Sequence, residues 1–306
     1  MRNYRPRHHY GAPLEEDGIL HGAGQSDSAF ARYAFECAPD VPRVVMLYLS
    51  IKGFRPENRQ RLMTKIRETI NIVPWPVIPQ IGLSMAHDGH PERHYDGEVA
   101  RGEYDAEIAL FWEVMVEIGK PFFLRLGYEF NGRWNGYQAP EFREAYRRVA
   151  AARGSVPAAL TWCAAAEGLG VWEGFYPGDD VVDWWGIDLF DREHFSLPQV
   201  EAFMAAAHRQ GKPVMIGETT SRYVGVLDGL RSWEDWYAPF FDFMAEHPGC
   251  KLFSYINWDW AGRSAGGESD WSEWGNARIE CNPSVLARWK SELAYPIFNH
   301  GSYPET

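Results

Sequence analysis

Eight short apolar runs punctuate the chain, and the segments between most of them carry apolar residues at helical spacing. The runs are Gly18–Gly24, Arg43–Ser50, Val77–Ser84, Phe122–Leu126, Ala158–Ala165, Val182–Phe190, Pro213–Gly217 and Lys251–Trp258. Near-continuous apolarity over so few residues predicts strands buried on both faces, as in a parallel sheet. Between them, Ser28–Cys37 reads as a short helix, and Pro56 opens another whose Leu62, Ile66 and Ile70 form one stripe. Ala106–Gly119 is amphipathic through Ile108, Phe111, Met115 and Ile118, and Phe142, Tyr146 and Val149 mark the next helix. Ser196 with Gln199 three residues on predicts a capping box for a helix closing at Gly211. Trp236, Phe240 and Met244 mark an aromatic helix, and Ser284–Leu293 a last one.

Strand and helix thus alternate eight times, at spacings of roughly 25 to 45 residues, the size of a βα unit. Alternation implies a parallel sheet, and eight units without a break in composition imply an α/β fold of the closed (β/α)8 TIM-barrel type. The expected organisation is a single domain over 1–306, with 1–17 as an N-terminal tail and 262–283 as a loop insertion over the barrel mouth.

Composition narrows the function. The net charge of −12 opposes nucleic acid, whose phosphates need a basic footprint, and an anionic membrane surface. No run approaches the ~18 uninterrupted apolar residues of a membrane span. Residues 1–10 lack the apolar core of a signal peptide, so the chain as written is expected to be cytoplasmic, or secreted if a leader has been removed. Cys37, Cys163, Cys250 and Cys281 are far apart, with neither disulfide-framework nor zinc spacing. Gly22-x-Gly24 starts like a dinucleotide fingerprint, but Asp27 stands at the third glycine, and no cofactor is expected. His87, His90 and His94 share a Gly/Pro loop rather than one helical face, so no metal is expected, and His87 reads as a substrate contact or a solvated residue. The 14 Trp, 15 Tyr and 17 Phe are in excess. Flat aromatic faces either stack on sugar rings or fill a core.

Barrel chemistry sits at the C-terminal strand ends. Reading those in turn gives His21, His87, Glu129, Trp162 or Glu167, Asp188, Glu218 and Trp258, with Trp172 in the loop after the fifth strand. Glu129 and Glu218 each follow a Gly or Gly-Tyr step, after strands four and seven, across the mouth from one another. Two carboxylates so placed perform glycosidic cleavage, one donating a proton and the other attacking the anomeric carbon. Arg125, four residues before Glu129, points to the same strand face, either tuning a carboxylate or neutralising one. Two ion-paired strand-end glutamates with no chemistry are the plain alternative.

The motifs Arg125-Leu-Gly-Tyr-Glu-Phe-Asn-Gly-Arg-Trp134, Tyr176-Pro-Gly-Asp-Asp-Val-Val-Asp-Trp-Trp-Gly-Ile-Asp188 and Ile216-Gly-Glu218 together resemble glycoside hydrolase family 26, over roughly residues 18–295. The resemblance implies that Glu129 is the acid/base and Glu218 the nucleophile, that Asn131 and Trp134 line the cleft, and that Trp258 floors the subsite of the cleaved sugar. Two positions depart from the family: Tyr128 replaces a histidine before the acid/base, and Phe190 replaces a tyrosine near the nucleophile. Both departures sit where a β-mannanase specificity would be set. The expected activity is retaining, endo-acting hydrolysis of a β-linked polysaccharide such as β-mannan, β-glucan or β-xylan. An exo-acting glycosidase on short oligosaccharides and a catalytically lapsed sugar-binding barrel are the competitors.

Overall fold

The computed structural model describes residues 2–87, 90–263 and 271–304. Its eight barrel strands are β1 (Ile19–Gly24), β2 (Val44–Ser50), β3 (Ile78–Ser84), β4 (Phe122–Leu126), β5 (Ala158–Ala165), β6 (Trp184–Leu189), β7 (Val214–Thr219) and β8 (Cys250–Ile256). Each pairs in parallel with its sequence neighbours, and β1 pairs with both β8 and β2, so the sheet closes. A two-residue strand β9 (Phe298–Asn299) adds to the N-terminal end of β1, at Ile19 and Leu20. The (β/α)8 barrel expected from the alternation is the fold observed.

The helices are α1 (Asp27–Cys37), α2 (Arg59–Ile70), α3 (Asp96–Ala100), α4 (Asp105–Ile118), α5 (Ala139–Ala151), α6 (Pro198–Arg209), α7 (Leu230–Ser232), α8 (Ala238–Glu246) and α9 (Pro283–Leu293). Between β5 and β6 the crossover is made by 3-10 turns over Leu169–Phe175. Gly119 ends α4 in the left-handed region at φ +66°, as its place past the last apolar residue predicts. The capping box expected at Ser196 and Gln199 does not form. The reciprocal cap lies earlier, between Asp191 and His194, while Ser196 Oγ donates to the Glu193 carbonyl at 3.3 Å. Pro198 then supplies the fixed φ that starts α6 without a side-chain cap.

Strand alternation sorts the interior. Leu20, Val44, Phe123, Ala159, Trp184, Met215 and Leu252 form one apolar layer inside the barrel. Ala12 and Leu14 pack against it, and Trp184 Nε1 donates to the Pro13 carbonyl at 2.8 Å. The segment expected as a tail therefore runs across the barrel floor. There the wholly buried Lys251 and Glu15 side chains approach to 3.4 Å, and Lys251 Nζ also donates to the His8 carbonyl at 2.9 Å. Such a pair persists in the interior because each charge has a partner.

Most of the aromatic excess fills the core. Trp162, Trp184, Trp185, Trp236 and Trp289 are wholly buried. The Trp162 ring stacks on Phe130 at 4.3 Å and lies edge-on to Trp185 at 4.9 Å, in the outer layer between the sheet and α6. Of the expected insertion 262–283, residues 264–270 lie outside the described residues, and 271–283 form short turns that lead into α9. Among the described residues, no helix is long and apolar enough to cross a membrane.

Candidate active site

The mouth is organised by one buried cation. Arg125 is the fourth residue of β4 and points inward above Phe123. Its Nη1 donates to Glu218 Oε1 at 2.7 Å, and its Nη2 donates to Asp188 and, at 3.4 Å, to Cys163 Sγ. Room for the guanidinium comes from Gly217, where a Cβ would stand 2.6 Å from Arg125 Nε and 2.8 Å from Asp188 Oδ1. Deeper in, Gln80 Nε2 donates to the Gly217 carbonyl at 2.8 Å and Gln80 Oε1 accepts from Ser254 at 2.8 Å. Carboxylates from β6 and β7 thus share one charge on β4, and that charge is itself wholly buried.

Glu218 reaches this position through a break in the ladder. Ile187 and Leu189 of β6 pair with Ile216 and Thr219 of β7, and Phe253 and Tyr255 of β8 pair with the same two β7 residues. Three β7 intervals therefore oppose two on each neighbour. The extra residue is a bulge, which re-aims a side chain that plain alternation would send outward. The strand extends through Thr219, two residues past the apolar run that marks it in the sequence.

Glu129 is placed by a strained turn. Gly127 adopts φ +55°, and its Cβ position is 2.6 Å from the Phe142 ring, so only glycine fits. Glu129 itself sits at φ +52°, a left-handed conformation that costs a non-glycine residue on the order of 1–3 kcal/mol. Neighbours hold it there: Asn135 Nδ2 donates to the Tyr128 and Glu129 carbonyls at 3.0 and 3.1 Å, and Gly132 N–H donates to the Glu129 carbonyl at 2.8 Å. Trp134 Nε1 donates to Glu129 Oε2 at 2.7 Å, and the indole covers Gly132 so closely that a Cβ there would stand 2.5 Å from the ring.

Electrostatics separates the carboxyls. Burial raises the Glu129 carboxyl well above the ordinary glutamate range, and the nearby Asp188 and Glu218 charges raise it further. Arg125 and the Trp134 N–H oppose that rise. Asp188 is pushed up to about 7, chiefly by burial and against the pull of Arg125. The arrangement presents a carboxyl that holds its proton more tightly than an ordinary glutamate, beside a carboxyl fixed by a guanidinium. A proton donor and an oxygen nucleophile at one mouth is the chemistry this set can perform.

The other residues expected at the site divide. Tyr128 is buried with its ring 5.1 Å beneath the Arg125 guanidinium and edge-on to Tyr48 at 5.8 Å. Phe190, at the end of β6, packs on Trp274 at 5.3 Å. Trp258 is half-buried after β8, its carbonyl accepting from Ala277 N–H at 2.9 Å. Asn131 is committed to the scaffold: its amide donates to the Ala165 and Glu167 carbonyls and accepts from Ala165 N–H, joining the β4 loop to the end of β5. Asp188 is likewise spent on Arg125 and Cys163 rather than open to a ligand.

Three expected contacts lie away from the mouth. His21 alternates outward between Leu20 and Gly22, is wholly buried, shares a 2.7 Å hydrogen bond with Tyr33 and stacks on Phe253. Trp162 is outward on β5 for the same reason. Trp172 packs behind it against Trp185 and Phe203 at 5.4 and 5.6 Å. Being last in a strand pattern is not enough; side-chain parity decides the face. His87 is exposed and bridges to His90.

Tyr48 joins the site without a motif to mark it in the sequence. It points inward from β2, beside Gly82, and its buried hydroxyl has no hydrogen-bond partner among the described residues. Burial first, then the Glu218 charge, raises this phenol well above its ordinary value. Its inward parity on β2, two residues above Met46, was the available signal.

A second charged cluster flanks the mouth. Glu167, Asp191 and His194 bring ligand atoms within 4.8 Å of one another, a spacing a metal ion can use. Arg222, however, donates to both carboxylates, at 2.6 Å to Asp191 Oδ2, so their charge is already matched. A groove of about 790 Å³ between Asp105, Arg147, Arg148 and Asp180 lies on the outer helix layer, far from this chemistry.

The chain is 30% identical over 241 residues to a β-1,3-xylanase from an Alcaligenes species, covering 67% of this chain and 49% of that protein. It is 29% identical over 236 residues to a β-1,3-xylanase from a Vibrio species, covering 65% and 49%. The chain spans about half the length of these curated relatives. Among solved structures it is similar to GH26C from a Muricauda species, with a TM-score of 0.62 at 10% identity over 95% of this chain and 88% of that one. It is also similar to a modular endo-β-1,4-mannanase from Cellulomonas fimi, with a TM-score of 0.61 at 17% identity over 94% and 73%. These likenesses establish the barrel fold. No protein-family model matches the chain.

Proposed function

We propose that this protein is a glycoside hydrolase of the family 26 type that cleaves a β-linked polysaccharide with retention, and that its substrate is a β-xylan, with β-1,3-xylan first. The observation that carries the reading is the pairing, at one mouth, of a buried carboxyl whose proton affinity is raised (Glu129) with a carboxyl held by Arg125 (Glu218). In the first step Glu129 gives its proton to the glycosidic oxygen while a Glu218 oxygen attacks the anomeric carbon, and the leaving sugar departs with that proton. In the second, Glu129 takes a proton from water as the water oxygen attacks the same carbon and releases Glu218. No metal enters either step.

The xylan choice rests on the two curated relatives, whose names record β-1,3-xylanases, and on the cleft walls. Tyr128 and Phe190 put aromatic rings where the β-mannanase pattern has an imidazole and a hydroxyl. A xylose unit has no C6 hydroxymethyl group and asks for fewer polar partners at such walls.

The test is release of reducing ends from β-1,3-xylan, β-1,4-xylan, β-mannan and β-1,3-glucan, with the product anomer followed by NMR. β-1,3-Xylan should be cut fastest, into a spread of lengths, with the β-anomer first. Glu218→Gln should lower kcat by orders of magnitude on every substrate. Glu129→Gln should do so on polysaccharide but far less on aryl glycosides whose leaving group needs no proton. Binding without product on any of the four would make the barrel a sugar-binding protein. One short product from the outset would make it exo-acting.

A further inference from the structure

Three non-glycine residues among those described have left-handed φ: Leu14 on the barrel floor, Glu129, and Tyr223 at +66°. Strain of this kind survives where surrounding structure enforces it, and it concentrates at functional positions. Tyr223 differs from the other two in being 59% exposed, so its conformation holds a large ring out into solvent rather than into packing. It lies in the loop after β7, five residues beyond Glu218. Behind it sits Arg222, whose guanidinium lies 5.2 Å from the Tyr223 ring centroid, 4.8 Å from that of Trp274 and 5.6 Å from that of Phe190. Asp191 and Glu167 fix that guanidinium from below. Trp271 is 36% exposed and lies 4.8 Å from Trp274.

Exposed aromatic rings are common singly and need no explanation. The large exposed aromatics among the described residues are Phe35, Tyr223, Trp271 and Tyr303. Phe35 and Tyr303 flank Trp75, in the segment that leads into the N-terminal end of β3, away from the mouth. Tyr223 and Trp271 flank the mouth, in the loops after β7 and β8. Those two loops are tied together: Val226 N–H donates to the Asn276 carbonyl at 2.8 Å, and a Cβ on Gly225 would stand 2.8 Å from the same oxygen. The aromatic surface is also continuous with the cleft, since Trp274 packs on Phe190 at the end of β6, two residues from Asp188.

We infer that Tyr223 and Trp271 are two aromatic stations of a distal sugar-binding platform, joined through Arg222 and Trp274, each taking a ring of a neutral β-linked polysaccharide outside the catalytic subsites. The inference rests on the proposed hydrolase reading and deepens it to a chain-binding enzyme that engages several consecutive units. Tyr223 and Trp271 give flat apolar faces that suit sugar C–H groups, and the buried, doubly paired Arg222 makes the support rigid, so little side-chain freedom is lost on binding. A neutral ligand is required because the cation behind the platform is already matched by two carboxylates.

The test is affinity electrophoresis of the whole chain in gels containing β-1,3-xylan, β-1,4-xylan, β-mannan or β-1,3-glucan. The parent should be retarded by at least one of them. Tyr223→Ala and Trp271→Ala should each weaken that retardation several-fold, together by tenfold or more, while Tyr223→Phe keeps it and Phe35→Ala leaves it untouched. Tyr223→Ala should melt with the parent, while Trp271→Ala, which loses ring contacts with Trp260 and Trp274, should melt somewhat lower but cooperatively. Unchanged retardation in the double variant, or no retardation of the parent by any of the four, overturns the platform. So does a parent that sediments as a dimer and dissociates on Tyr223→Ala, which would give the patch, with exposed Leu227 and Leu230 beside it, to a second copy. Retardation reads binding without turnover. A parent that is retarded through Tyr223 but releases no reducing ends keeps the platform and removes the hydrolase, and hydrolysis with unaltered retardation in the variants does the reverse.

Discussion

The indole N–H of Trp134 donates to the Glu129 carboxyl at 2.7 Å, five residues along a loop that also fixes the glutamate backbone. A donor facing a carboxyl stabilises its charged form, so this bond works against the burial that raises the Glu129 pKa. Trp134→Phe removes the donor and should raise the Glu129 pKa further. The alkaline limb of kcat/KM against pH should then move to higher pH in the variant, with the acid limb in place. A shift toward lower pH would contradict the assignment of Glu129 as the acid.

Glu129 also makes stability depend on pH in a defined direction. Its folded pKa lies above its unfolded value, so the folded state holds the proton more tightly. Any stability linked to that proton is fully present below the unfolded value, about 4.3, and is lost as pH rises through the folded one. Glu129→Gln has no proton to lose. Urea unfolding should therefore show the variant more stable than the parent at pH 7, with the gap closing near pH 4.

Arg125 serves Glu218 and Asp188 together, and all three lie in the barrel interior. Arg125→Met leaves two carboxyls without their cation and should cost about 3–5 kcal/mol in chemical denaturation. Arg125→Lys keeps the charge but loses the fork that reaches both partners, so it should fold better than the Met variant yet turn over slowly.

Gly217→Ala tests the close approach at the bulge. Its methyl would stand 2.6 Å from Arg125 Nε. Overpacking of this kind costs about 1–3 kcal/mol. Since Arg125 is the group that must move, kcat should fall as well, while Gly211→Ala, just past α6 with open space around it but a φ of +64° that costs stability, should leave kcat unchanged.

Tyr48 offers a chemically smaller change. Its buried hydroxyl has no partner among the described residues, so Tyr48→Phe removes an unsatisfied polar atom and should hold or raise the unfolding free energy, by on the order of 1 kcal/mol in urea denaturation. A fall in stability would show that the hydroxyl is paired in the native state.

The pattern of apolar runs determined the barrel. Period-2 and period-3.6 spacing is a property of local sequence, and eight alternations match the eight βα units of a closed parallel barrel, which the β1–β8 pairing completes. The same logic brought Glu129, Glu218, Arg125 and Asp188 to one end of the sheet, because residues after a parallel strand all emerge on one side. Spacing could not choose faces inside that end. His21 and Trp162 alternate outward into the helix layer, and Glu218 turns inward only through a bulge visible in the pairing of three strands. The sharing of Arg125 between two carboxyls and the pairing of Arg222 with Asp191 and Glu167 likewise join residues tens of positions apart. Those relations depend on which side chains meet across the closed barrel, and closure is a property of the tertiary structure.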